Sequence, residues 1–186
     1  MKILKWFLIV VFIVSAAVLS FLCYMGVFSA LKVSEREMGP FTIAYKRYVG
    51  EYKNTGKVFM EVSNAMKDLG LEVSDKSDSI GIYYDNPAVV SKDKLRSDCG
   101  IVIAGKDLAK APALLKKGLK VMTIEKKPCV VAEFPIRNVM SFMIGPAKGY
   151  PALAKYAAQK NYKAGRMYEF YDMKNNLILF TLEIAK

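Results

Sequence analysis

From residue 6 to residue 31 the chain carries no charged side chain. A helix needs roughly 20 apolar residues to cross the hydrocarbon of a bilayer, so this run is long enough for one transmembrane span. Trp6 and Tyr24 stand near its ends, where amphipathic rings favour the membrane interface. The start, Met1-Lys2-Ile3-Leu4-Lys5, also fits the basic region of a secretory signal, and Val27 and Ser29 are modest residues for a cleavage position. Length separates the two readings. The run is about twice the roughly 7–15 apolar residues of a signal core, so residues 1–31 are read as an N-terminal anchor. Lys2 and Lys5 precede it, and Lys32, Arg36, Lys46 and Arg47 follow it. That count favours a cytoplasmic C-terminal domain, the signal-like start favours an exported one, and the side occupied stays open.

Beyond the anchor, the remainder of the 186 residues has room for one ordinary domain. The chain contains no histidine, which excludes Ser-His-Asp and Cys-His nucleophile pairs and histidine-ligated metals. Three cysteines cannot build a four-thiolate zinc site, so neither a metal nor a cofactor is expected. Lys and Arg number 28 against 17 Asp and Glu, a formal net charge of +11. These cations are scattered, and no helix-turn-helix or RNA-binding motif accompanies them, so specific nucleic-acid recognition is not expected. A basic surface beside anionic lipid fits better.

The order of elements repeats. Residues 32–40 are polar and end in Gly39-Pro40, which reads as a linker. Residues 41–49 are rich in β-branched and aromatic side chains and read as a strand. Val58, Val62, Ala65, Met66 and Leu69 then fall on one helix face, closed by Gly70. Strands are expected at 80–84 and 100–104. After a lysine-rich connection, 119–124 adds a strand. The second unit follows the same plan: a strand at 129–134, a helix at 151–158 opened by Pro151, and a hairpin of 167–171 and 177–184 across Lys174-Asn175-Asn176. One helix and three strands cannot bury both sheet faces, whereas two such units sharing a sheet can. The expected class is therefore α+β: a first unit at 41–105, a connection at 106–127 and a second unit at 128–186. Both helices lie on one face of a common antiparallel sheet.

Strand alternation sorts the residues of the second unit. Ile178, Phe180, Leu182 and Ile184 are uniformly apolar and suit the helix-packed side. Leu179, Thr181 and Glu183 then point the other way. Met167, Glu169 and Tyr171 share a face, as do Cys129, Val131 and Glu133. The helix-free surface is expected to curve into the functional cleft, holding a carboxylate among apolar and aromatic side chains.

Three stretches carry a family resemblance: residues 41–56, Gly81-Ile-Tyr-Tyr-Asp-Asn-Pro87, and Lys92-Asp-Lys-Leu-Arg-Ser-Asp-Cys-Gly100. They resemble the GyrI-like small-molecule-binding family, and within it a membrane-anchored branch. The resemblance implies a duplicated strand–helix–strand–strand fold and a cleft between the units that takes hydrophobic, often cationic, small molecules. It also implies an acidic residue on a second-unit strand as electrostatic partner, here Glu169 in Glu169-Phe170-Tyr171. By the same resemblance the domain is cytosolic. The branch's acidic tail and its autophagy-receptor role have no counterpart before Lys186 and are not carried over.

The plain alternative for Glu169 is a solvated strand carboxylate paired loosely with a lysine, worth about 0–1 kcal/mol. Tyr45, Tyr48, Tyr83 and Tyr84 are interleaved in strands, and Tyr83 and Tyr171 are chosen for the cleft with Glu133 as a further lining residue. Because Trp6 is the sole tryptophan, any aromatic lining must come from Tyr and Phe. Arg96 and Asp98 are expected to pair, and Tyr84-Asp-Asn-Pro87 to make a structural turn. The chain is thus expected to be a membrane-anchored binder of a hydrophobic, cationic small molecule, with residues 6–31 meeting the lipid bilayer. A hydrolase using Glu169 and a tethered scaffold for a protein partner are the alternatives.

Overall fold

A computed structural model describes residues 2–28 and 30–185. The candidate cleavage residue Ser29 lies outside them. Helix α1 (Lys2–Tyr24) exposes its apolar side chains along its length, with Phe12 at 74% and Trp6 at 68% of full exposure. At about 1.5 Å per residue it reaches roughly 34 Å, enough for a bilayer core. It stops seven residues short of the apolar run's end. Gly26 takes φ 74° and its N–H bonds Cys23 O, while Val27 N–H bonds Leu22 O. This left-handed glycine cap closes the helix.

The chain continues through β1 (Lys32–Met38), β2 (Phe41–Val49), α2 (Thr55–Asp68), β3 (Ser79–Tyr83), β4 (Arg96–Val102), α3 (Ala111–Lys116) and β5 (Lys120–Ile124). It ends with β6 (Lys127–Pro135), α4 (Ser141–Gln159), β7 (Lys163–Asp172) and β8 (Leu177–Ala185). All eight strands join one antiparallel sheet in the order β1-β6-β8-β7-β3-β4-β2-β5. The order is symmetric about the β7–β3 junction: β6-β8-β7 on one side mirrors β2-β4-β3 on the other. That is the duplication expected from the repeated element order. The expected linker is instead strand β1, which pairs with β6 from Lys32↔Glu133 to Met38↔Lys127. Its polar, alternating sequence suits an edge, where one side of the backbone has no sheet partner.

The sheet curls. Met38 of β1 and Ile124 of β5, from its opposite edges, meet Ile80, Ile82, Val131, Tyr168, Phe170 and Leu179 in one core on the helix-free face. Close approach of the two ends requires Gly39 (φ 92°), where an added Cβ would lie 3.0 Å from Glu125 O. The helix-free face is therefore closed upon itself, and among the described residues these packed side chains fill the place of the expected cleft. Its helix-bearing face is packed in two places. Helix α2 packs Val62 and Met66 against Ala44, Ile101 and Ile103 and also buries Val58. Helix α4 lies over β6 and β8, with Leu153 and Ala157 packed on Val130, Phe134, Ile178, Phe180 and Leu182. Each fully buried aliphatic side chain contributes about 1.5–3 kcal/mol.

Helix α4 starts ten residues earlier than expected. Gly145 and Gly149 are helical residues facing the sheet, not turn residues; a Cβ at Gly149 would fall 2.2 Å from the Phe180 ring. Two small residues one turn apart thus seat the helix directly on an aromatic ring. Pro146 and Pro151 lie inside α4, so Pro151 does not open it.

Candidate functional site

Between the first turns of α2 and the N-terminal half of α4 lies the junction strand β7. Register pairs Glu169 with Phe180 on one side and Gly81 on the other, and Tyr171 with Ile178. Phe180 and Ile178 belong to the helix-packed face, so Glu169 and Tyr171 point beneath the helices and not toward the helix-free side. Gly81 has no side chain, and this lets the Tyr83 ring fold back over it; an added Cβ would sit 2.7 Å from that ring.

Glu169 is 4% exposed. The Tyr150 hydroxyl donates to its Oε1 at 2.8 Å and the Tyr171 hydroxyl to its Oε2 at 2.7 Å. Tyr171 has one hydroxyl proton, so at its 3.0 Å contact with Tyr83 the donor is Tyr83. Three phenols from β3, α4 and β7 thus converge on one carboxyl group. No lysine or arginine among the described residues pairs with it. Burial disfavours the charged form and pushes its pKa up from 4.5 to about 7, against the two hydroxyl donors, which favour the anion. Tyr171 and Tyr150 are raised in turn by burial and by the neighbouring Glu169 charge.

Aromatic rings complete the walls. Tyr52 meets Tyr83 edge-on with centroids 4.9 Å apart, while Phe59 of α2 and Phe142 of α4 each lie 5.7 Å from the Tyr171 ring. Tyr150 stands 5.4 Å from Phe180. The Phe142 ring is 40% exposed, so this wall reaches the surface. Such an array can attract a cation both by the carboxylate and by ring faces.

Tyr52, which touches Tyr83, also links the site to a second network in the first unit, whose Asp98 and Arg47 lie on the helix-free face with Ile82. The Tyr52 hydroxyl shares its one proton between Asp85 O at 2.9 Å and Arg96 O at 3.1 Å and accepts from Asp85 N–H. Asp85 is bound bidentately by Arg96 (2.8 and 3.0 Å). Asp98, fully buried, takes a bidentate Arg47 at 2.8 Å and the Tyr84 hydroxyl at 2.7 Å. The expected Arg96–Asp98 pair is therefore replaced by Arg96–Asp85 and Arg47–Asp98, because neighbours two apart on β4 share a face without meeting each other. The Tyr84-Asp-Asn-Pro87 turn indeed orders the backbone: Asn86 Oδ1 accepts from Ala88 N–H.

Of the residues chosen from sequence, the structure brings Glu169, Tyr171 and Tyr83 together. It separates Glu133, which lies on the other face of the sheet beside Cys129 and Val131 and is paired with Arg36 at 3.1 Å and Lys32 at 3.8 Å. Glu183 shares that face and pairs with Lys127 at 2.9 Å. Tyr52, Phe59, Phe142 and Tyr150 were missed. Tyr150 sits between Gly149 and Pro151, a pattern that reads as a turn, and only the GxxxG spacing of Gly145 and Gly149 hinted at a helix. Cys99 and Cys129 are both buried thiols on opposite faces and do not pair.

The duplicated half-units and the single curled sheet that they share define a class of α+β domain with an acidic, phenol-lined junction. Residues 31–177 match the GyrI-like small molecule binding domain, and the chain belongs to that family. Human testis-expressed protein 264 is 31% identical over 160 residues, covering 82% of this chain and 49% of that protein. Its homologue in Mus musculus is 29% identical over 159 residues with the same two coverages. The chain thus spans about half the length of the curated relatives it matches. Among solved structures, the C-terminal domain of EcmrR superposes with a TM-score of 0.64 at 13% identity, covering 84% of this chain and 98% of that one. A conserved protein of Listeria innocua superposes at 0.52 and 9% identity, covering 89% and 98%. These likenesses establish the fold.

Proposed function

We propose that this chain is a membrane-anchored binder of hydrophobic cations or amines, with Glu169 as the counter-charge and Tyr52, Tyr83, Tyr150, Tyr171, Phe59 and Phe142 as the lining. The observation that carries the reading is a buried carboxyl group with phenol donors and no cationic partner among the described residues. An ionised group so enclosed is unfavourable by several kcal/mol unless a positive charge approaches it, and a ligand cation provides that charge. Family membership supports a small-molecule ligand. Anchoring rests on α1, whose length and apolar surface suit a bilayer, although a signal sequence has the same character.

Titration calorimetry in detergent with tetraphenylphosphonium tests the site, because that probe is apolar and permanently charged. Tetraphenylborate, of like size and opposite charge, serves as control. We expect binding of the phosphonium only, weakened at least tenfold in Glu169→Gln. Only ionised Glu169 attracts the cation, so affinity rises with pH through about 7. The expected loss between about pH 8.5 and about pH 5.5 is roughly 30-fold. Equal affinity of parent and variant for the phosphonium would sink the reading. A carboxyl group near neutrality also suits general acid–base chemistry. Turnover of small esters or epoxides abolished by Glu169→Gln would favour the hydrolase.

A further inference from the structure

The end of α1 is fastened to the domain at one place. Arg137 lies over the Tyr24 ring at 5.3 Å, Asn138 Nδ2 donates to Met25 Sδ at 3.1 Å, and Lys148 Nζ donates to the carbonyls of Gly26 and Val27 at 2.7 and 2.8 Å. Met25 is fully buried by this contact. Between Asn138 and Lys148 the chain displays Val139 (78% exposed), Met140 (40%), Phe142 (40%) and Met143 (75%). A water-facing turn and helix start rarely carry four large apolar side chains within five residues. They stand beside the exit point of a helix that is itself apolar on all sides, with Tyr24, Arg137 and Lys148 around them, the residue types that favour a lipid headgroup layer. Phe142, one of the four, is also the exposed wall of the Glu169 site, 5.7 Å from the Tyr171 ring whose hydroxyl binds that carboxyl group.

We infer that residues 139–143 lie in the interfacial layer of the bilayer and that the Glu169 site opens there, admitting amphiphilic cations already dissolved in the membrane. This rests on the anchored reading of α1 given above and adds the route and the ligand class. An amphiphile would enter past Phe142 with its chain still in lipid and its cationic head reaching Glu169. The bilayer would cover the four side chains and remove their exposure to water.

The test uses the full chain in vesicles. In a Trp6→Phe background, tryptophan is introduced at Met143 or, as control, at Lys160, roughly 25 Å along α4 from it. Lipids brominated near the headgroup end of their tails should quench Met143→Trp by about half or more and blue-shift its emission, and leave Lys160→Trp nearly unquenched. A second arm uses Val139→Asp combined with Met143→Asp. It should leave tetraphenylphosphonium affinity in detergent unchanged and slow uptake of vesicle-borne octadecyl rhodamine about tenfold. Quenching at position 143 no greater than at position 160 overturns the interfacial placement, as does a chain that fails to float with the vesicles. Unchanged octadecyl rhodamine uptake overturns the lipid route. Loss of the Glu169→Gln effect, with quenching at position 143 intact, would instead strike only the cation-binding reading.

Discussion

Glu169 links stability to pH in a direction opposite to that of a surface carboxylate. Its folded pKa is raised to about 7 from 4.5. Between those values the folded chain holds a proton that the unfolded chain has released, so stability falls as pH rises through this window. The contribution is fully favourable below about pH 4.5, and about 3 kcal/mol has been lost above about pH 7. Glu169→Gln carries no such proton. We therefore expect its melting temperature to exceed the parent's at about pH 8 and the difference to vanish or reverse at about pH 4.5. Thermal melts by circular dichroism at both pH values check this; a parent at least as stable as the variant at alkaline pH would show that the carboxyl group is not shielded from water. A more stable variant with weaker cation binding is the usual signature of a residue kept for function against stability.

Helix α4 positions both Tyr150 and Phe142, and its seat on the sheet decides where they point. Ser141, Gly145, Gly149, Leu153 and Ala157 recur every fourth residue and face the strands. At Gly149 the backbone lies so close to Phe180 that a methyl group has no room. Overpacking of this kind costs about 1–3 kcal/mol, so Gly149→Ala should lower the melting temperature by several degrees and loosen Tyr150 from Glu169. Pro151→Ala, on the exposed side of the same turn, restores a backbone donor and should cause no loss. Calorimetric melts of the two variants settle whether close approach or general helix propensity governs this element; equal behaviour would refute the close-approach account. The stripe was hard to read in sequence because glycine and proline together signal turns, and only the underlying sheet makes glycine the residue a helix needs there.

At the scale of the whole molecule, the two units have a repeated element order but not separate cores. The helix-free core takes residues from both edges and both units, and the site takes Tyr83 from one unit and Tyr150, Glu169 and Tyr171 from the other. Strands β3 and β7 join them through Ile80↔Phe170 and Gly81↔Glu169. We expect one cooperative unfolding transition, with the slowest amides of β4 and β8 sharing a single opening free energy in hydrogen exchange. Protection of β8 far above that of β4 would mean that the units open independently. The curl also bears on the proposed function: it packs the helix-free face shut, and the site proposed for the ligand lies on the helix-bearing side.

Local pattern alone determined a long apolar helix, a duplicated strand–helix–strand–strand order and the shared face of Glu169 and Tyr171, because these follow from spacing along one chain. Gly70 stopping α2 and Gly26 stopping α1 are equally local, since a left-handed cap needs only the glycine. Which side of the sheet receives that face is not local. Alternation has two solutions related by a flip, and burial of Phe180 and Ile178 under α4 selects between them. Edge strand β1, the pairing of Arg47 with Asp98, and the arrival of Tyr52 and Tyr150 at Glu169 likewise join residues distant in sequence. Only the curled sheet, by setting which strands neighbour each other, brings them into contact.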